Sequence, residues 1–173
     1  DTQFGKGPNV LNRLKHGLSR DGIGEAGALL IDCSPMLGVL SLSAIFAADR
    51  VLVPVSADYL AVKGAVQVDR TLNALQRVVG RRIERRYVVT RFDARRRMSW
   101  DILETFRARF GADLAETRIS ENVAIAESPF TDRDVFAHAP ASKGAADYAA
   151  LHAWLEAESR GIVVSRYDGW KFG

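Results

Sequence analysis

Two groups of residues in this chain have the types and spacing to do chemistry. The first is a carboxylate at the end of an apolar run. ALLIDCSP (28–35) reads as a buried strand that closes on Asp32. At the carboxyl edge of a parallel sheet, where open α/β folds bind their ligands, such an aspartate can hold magnesium or orient water. It is read equally well as a cap for the helix that follows. The second group is a cluster of nine arginines, at 77, 81, 82, 85, 86, 91, 95, 96 and 97, set against Glu84 and Asp93 alone. This stretch carries +7 and the remaining chain −4, within a net charge of +3. Clustered guanidinium groups repel one another unless something compensates. The segregation therefore points either to a phosphate-bearing or acidic partner or to a solvated helix end and loop.

Other motifs fail on context. Gly22, Gly24 and Gly27 satisfy GxGxxG, but they precede the run 28–32. A dinucleotide fingerprint follows a strand and opens a helix, so these glycines read as a turn. Gly5-Lys6-Gly7 lacks both the upstream glycine spacing and the hydroxyl residue that a P-loop places after its lysine. His16, His138 and His152 are not spaced as metal ligands, and Ser34 has no GxSxG elbow around it. Cys33, at a strand end, reads as a small buried apolar residue. As the lone cysteine it excludes an internal disulfide framework and makes the cytosol the expected compartment.

The elements that must position these residues follow from hydrophobic patterning. With 173 residues, 47% hydrophobic and 26% charged, the chain has the composition of one ordinary folded domain. Short apolar runs at 28–32, 51–55, 86–90 and about 114–119 read as strands. Helical spacing recurs over Val10 to Leu18, 38–48, 62–80, 99–110 and 142–159. On the helix 38–48, Leu40, Ala44 and Ala47 recur on one face, and Trp100 and Trp154 fall on later helices as core or interface residues. This rhythm predicts an α/β fold with a mostly parallel sheet and helices on both faces. The expected organisation is an amino-terminal helix and glycine-rich linker over 1–27, an α/β domain over 28–160 and a tail over 161–173. No apolar run is long enough to cross a bilayer, and the amino terminus has no signal-peptide pattern. The start at Asp1 rather than Met suggests a fragment or a processed product.

LLIDCSPMLGVLSLSAIFAADRVLVPVSADYLAVKG (29–64) resembles the Walker B and switch II region of the ParA/MinD family of deviant Walker A ATPases. The likeness continues, in order and at similar spacing, through TRFDAR (90–95), ISENVAIAES (119–128) and ASKGAADYAAL (141–151), and it is strongest to the chromosome and plasmid partition branch. The resemblance implies a P-loop NTPase-like fold, here truncated. It assigns Asp32 to the Walker B aspartate that acts on magnesium through water. Pro35 and Gly38 match the switch II turn, Thr90 and Asp93 an adenine-side loop, and Asn122 a second nucleotide-edge loop. Arg95 matches the arginine of a DAR motif that contributes to non-specific DNA binding, with Arg91, Arg96 and Arg97 beside it.

The departures from the family pattern are specific. Ser34 stands for a proline, and Ser120, Glu121 and Ala124 replace a proline and two arginines. No KGGxGK[ST][ST] motif or switch I aspartate is found in these 173 residues. The resemblance thus implies part of an ATPase for DNA partition or cargo positioning. The intact protein would bind ATP and Mg2+, dimerise, associate with non-specific DNA and a ParB-like or other cargo adaptor, and reside in the cytoplasm on the nucleoid. The chain alone is expected neither to hold nucleotide tightly nor to hydrolyse it, because phosphoryl transfer depends on the phosphate cradle. The alternative is a degenerate interaction module of the same fold without ATPase activity.

Overall fold

A computed structural model describes residues 8–23, 28–34 and 38–158. Gly24, Gly27, Pro35 and the tail from 161 lie outside the described residues. In chain order the elements are α1 (Pro8–Leu11), α2 (Arg13–Arg20), α3 (Val39–Ala47), β1 (Arg50–Ser56), α4 (Tyr59–Val79), β2 (Glu84–Phe92), α5 (Arg97–Phe110), β3 (Leu114–Ser120), α6 (Val123–Glu127), α7 (Val135–His138) and α8 (Lys143–Glu158). Among the described residues the chain divides into two compact units, one up to Val51 and one spanning Leu52–Glu158.

In the second unit the strands are ordered β1-β2-β3, and β2 and β3 run parallel. Just after β1 the Ala57 N–H donates to the Thr90 carbonyl, near the carboxyl end of β2, at 3.0 Å. Strands that finish side by side need long crossovers, which α4 and α5 supply. Tyr87, Val88 and Val89 are consecutive and at most 1% exposed, so β2 is covered on both faces. Successive strand side chains point to opposite faces. Tyr87 stacks on Phe110 of α5 at 3.8 Å between ring centroids, and its hydroxyl donates to Asp69 of α4 at 3.1 Å. Val88 packs with Ala115, Ile119 and Leu151, against Ile125, Trp154 and Leu155. The expected α/β architecture with helices on both faces is therefore the observed one.

Local chemistry sets the helix ends. The Asp58 carboxylate accepts from the Ala61 N–H at 2.9 Å and starts α4. Gly80, at φ +70°, ends it in the left-handed conformation that glycine adopts without steric cost. Buried polar pairs then fix the layers. Asp69 receives Tyr87 and lies 3.3 Å from Arg85 Nε, while Arg85 Nη2 donates to Asn73 at 2.9 Å. Burial and then the charge of Asp69 hold the Tyr87 hydroxyl well above the usual tyrosine range. On the other face the Ser120 N–H donates to Asp147 Oδ2 at 2.8 Å, and Lys143 donates to Oδ1 at 2.9 Å, tying α8 to the end of β3. Burial alone would raise the Asp147 carboxyl, but these hydrogen bonds outweigh it and hold the group below the usual range.

Three expectations are corrected. The run 28–34 is not a strand, and Leu29, Leu30 and Ile31 are 45%, 74% and 37% exposed. An apolar run becomes a central strand only when ladder partners and cover on both faces exist, and composition supplies neither. Cys33, expected to be buried at a strand end, is exposed for the same reason. The single helix expected over Val10 to Leu18 is two, α1 and α2, with Asn12 between them.

Gly144, the second residue of α8, leaves no room for a side chain. A Cβ there would lie 2.6 Å from Ile125 Cγ1 and 2.8 Å from its Cδ1. Gly144→Ala is expected to destabilise, because overpacking costs about 1–3 kcal/mol against at most about 1 kcal/mol of helix propensity gained. Thermal unfolding of Gly144→Ala, Ile125→Ala and the double variant tests this. The double variant should be more stable than the sum of the two losses, and strict additivity would refute the clash.

Candidate functional site

The carboxyl edge of the sheet brings together residues that are far apart in sequence. The Glu121 N–H, just after β3, donates to the Phe92 carbonyl at the end of β2 at 3.0 Å. Together with the bond from Ala57 to Thr90, this joins the segments 57–58, 90–97 and 120–122 along one rim. Thr90 is half-buried in β2. The β2-β3 register slips between Val89 and Phe92, where β2 carries an extra residue, and Arg91 there has φ +51°. A non-glycine residue in this conformation costs roughly 1–2 kcal/mol, so its neighbours must hold it. The bulge turns Arg91 to solvent, where Nη2 lies 3.4 Å from Glu121 Oε1.

Asp93 is the knot of the loop that follows. Its Oδ1 accepts from the Arg95 backbone N–H at 3.0 Å and from Arg95 Nε at 2.9 Å, and its Oδ2 accepts from Arg95 Nη2 at 3.0 Å. Arg96 Nε lies 3.3 Å from the same carboxylate. These hydrogen bonds from Arg95, with the added charge of Arg96, pull the Asp93 carboxyl down to about 2. The carboxylate is buried, yet the Arg95 side chain is 90% exposed. Asp93 therefore fixes the direction of a guanidinium that still faces solvent. Arg97, the first residue of α5, is also exposed, 4.0 Å from Asp101.

A second brace was not legible in the sequence. Trp100 Nε1 donates to the Ala94 carbonyl at 2.9 Å, and its ring meets Phe92 edge-on at 5.1 Å. Arg118 of β3 places its guanidinium 4.8 Å from the Phe92 centroid and 5.2 Å from that of Trp100. A cation over two aromatic rings in a half-buried position holds the loop against the sheet. The one signal for it was an arginine next to the buried Ile119 in a strand of mixed polarity, LAETRIS.

The other candidates have different places. Asn122 caps α6, its side-chain oxygen accepting from the Ala124 N–H at 2.9 Å. Gly38 is the residue at the start of α3, so Asp32 does not cap that helix. In the first unit Asp32 is exposed beside a hollow of about 370 Å3 shared with Arg13, Ser34 and Ser41. Among the described residues no three metal-ligating side chains converge, and no helix is long and apolar enough to cross a membrane. Two members of the arginine cluster are committed internally, Arg85 to Asp69 and Arg86 to Asp113 at 3.2 Å.

This architecture matches solved structures. Cobyrinic acid a,c-diamide synthase from Mycobacterium smegmatis, solved with an ATP analogue and magnesium, superposes with a TM-score of 0.68 at 25% identity, over 94% of this chain and 59% of that one. The Pyrococcus furiosus cell division ATPase MinD shares the fold, with a TM-score of 0.56 at 20% identity over 75% and 51% of the two chains. The fold and its edge loops define an α/β protein of the P-loop NTPase type. A family model described as an AAA domain matches residues 27–85. The chromosome partitioning protein ParA of Myxococcus xanthus is 31% identical over 73% of this chain, and that of Caulobacter vibrioides 33% over 71%. The chromosome-partitioning ATPase Soj of Thermus thermophilus is 35% identical over 71%. The chain belongs to the ParA/MinD family of deviant Walker A ATPases, and it spans about half the length of the curated relatives it matches.

The Asp93 clamp has a pH signature. Its carboxyl sits at about 2 when folded against an ordinary 3.8, so its contribution is complete above about pH 4 and is lost as pH falls towards 2. Because the Trp100 indole bonds within the same loop, its fluorescence should change across this window in the wild type. Asp93→Asn should remove that step, and an unchanged transition in the variant would show that the loop does not depend on this carboxylate.

Proposed function

We propose that this chain is part of a ParA-like ATPase that moves or positions DNA or another cargo. The observation that carries the reading is the arginine loop at the sheet's carboxyl edge, where a buried aspartate aims an exposed guanidinium, in a chain related to chromosome partitioning proteins. Arg95, with Arg91, Arg96 and Arg97, binds the phosphate backbone of DNA without sequence preference. In the intact protein Asp32 holds magnesium through water, Pro35 and Gly38 form the switch turn, and Thr90, Asp93 and Asn122 border the adenine. A lone exposed carboxylate fits magnesium, which keeps most of its waters and takes its other ligands from substrate phosphates. The ion would neutralise charge on the transferred phosphoryl group. A nucleotide-dependent homodimer and a ParB-like or other adaptor complete the scheme, in the cytoplasm on the nucleoid.

A second reading has its own support. Glu121 stands where the family pattern has an arginine, and it pairs with Arg91, which reduces the positive surface. On that reading the fold serves protein interaction without hydrolysis.

Two measurements separate them. Because Asp32 is exposed and caps no helix, Asp32→Ala in the full-length protein should abolish ATP turnover while shifting stability by no more than about 0.5 kcal/mol. Absence of turnover in the wild-type full-length protein would favour the interaction module. In DNA mobility shifts at two salt concentrations, wild-type affinity should fall with log salt at a slope of about −0.9 per phosphate contact. Changing Arg95, Arg96 and Arg97 to Glu should weaken binding and flatten the slope. Affinity insensitive both to salt and to these changes would make the loop a solvated surface only.

A further inference from the structure

We propose that the outward face of α4 is a second DNA-backbone surface, a straight ridge of positive charge separate from the arginine loop. Lys63, Arg70 and Arg77 recur on α4 at seven-residue spacing, and all three are exposed. Seven residues fall about 20° short of two full turns, so the three charges stay in one stripe. At 1.5 Å per residue that stripe is about 21 Å long. Beyond Gly80, the exposed Arg82 extends it into an open hollow of about 560 Å3 that Arg77 and Arg81 also line.

The charge of this face is not balanced locally. The one acid in α4, Asp69, is half-buried and taken by Tyr87 and Arg85. Lys63 lies 5.1 Å from the Tyr59 ring. Among the described residues none of Lys63, Arg70, Arg77 and Arg82 has a carboxylate partner. A solvated helix ordinarily interleaves acids and bases at three- and four-residue spacing. The helix dipole accounts for a basic residue in the last turn, which is Arg77, but not for Lys63 or Arg70.

A linear polyanion fits this row better than a folded acidic partner does. Duplex DNA presents uniform charge along its length. A protein interface would want apolar contacts at its centre, where this ridge has Gln67 and Ala74, the exposed Tyr59, Leu60 and Val78 of α4 lying only towards its two ends. Tyr87 reaches both α4 and α5, so the ridge and the loop that opens α5 belong to one helical layer, and one duplex can meet both. The proposal rests on the reading above for its ligand but uses none of its residues.

Fluorescence anisotropy with a duplex of about 30 base pairs, roughly three helical turns, tests it in the full-length protein with ATP. Lys63, Arg70 and Arg77 are changed together to Gln, which keeps helix propensity, and in a control to Arg, Lys and Lys, which keeps charge. The Gln variant should bind at least roughly tenfold more weakly, with a salt slope shallower by about 2.7, and the charge-keeping control should bind as the wild type does. Weakened binding in the control as well would mean that the substitutions act through structure and would overturn the ridge. A Gln variant that matches the wild type, while loop variants weaken, would overturn the ridge and leave the loop intact. Weakening in the Gln variant alone would place DNA on the ridge and remove it from the loop. Wild-type protein with no salt-dependent binding would overturn both.

Discussion

Burying Tyr87, Val88 and Val89 in succession obliges the sheet to carry a helical layer on each side, since neighbouring strand residues point in opposite directions. Everything else in the larger unit follows from that demand. Tyr87 draws α4 and α5 to one face through Asp69 and Phe110, and Val88 draws α8 to the other through Leu151. With both faces closed, the loops at the sheet's carboxyl edge are the exposed positions that a rigid scaffold supports. Asp93, Glu121 and Asn122 stand there together because β2 and β3 end side by side.

The same constraint divides the arginine cluster by depth. Arg85 and Arg86, within β2, are half-buried and need carboxylate partners, because an unpaired charge in that setting is costly. Arg91 escapes at a bulge, and Arg95 to Arg97 leave the sheet altogether. Arg77, at the end of the helix that leads into β2, and Arg82, beyond Gly80, face outward. One run of like charge in the sequence thus becomes two internal ion pairs and two outward surfaces, on a layer that the core holds rigid.

Around the loop, electrostatics serves orientation more than stability. Asp93 takes three hydrogen bonds from Arg95 yet leaves that guanidinium almost wholly exposed, and exposed ion pairs contribute little to folding. The gain is a fixed direction for a long side chain that would otherwise lose rotamer freedom on binding a ligand. Trp100 and Arg118 act to the same end from the sheet side. Glu121 works against it by pairing with Arg91.

The sequence by itself determined the fold class, the three strands of the sheet and their long helical crossovers, because hydrophobic period is a local property that each segment carries within it. It also located the arginines and the rim residues Thr90, Asp93 and Asn122. Only the tertiary structure decided what those residues do. Asp93 became a clamp and Asn122 a helix cap because their partners, the Arg95 fork and the start of α6, take up the carboxylate and the amide oxygen in the folded chain. The run 28–34 had a strand's composition but no strand's neighbours, and Arg118 gained its role from two rings that only folding brings beside it. Pairing, burial and charge compensation are properties of neighbours in space, and for these residues the neighbours are set by the packing of β2 between its two layers.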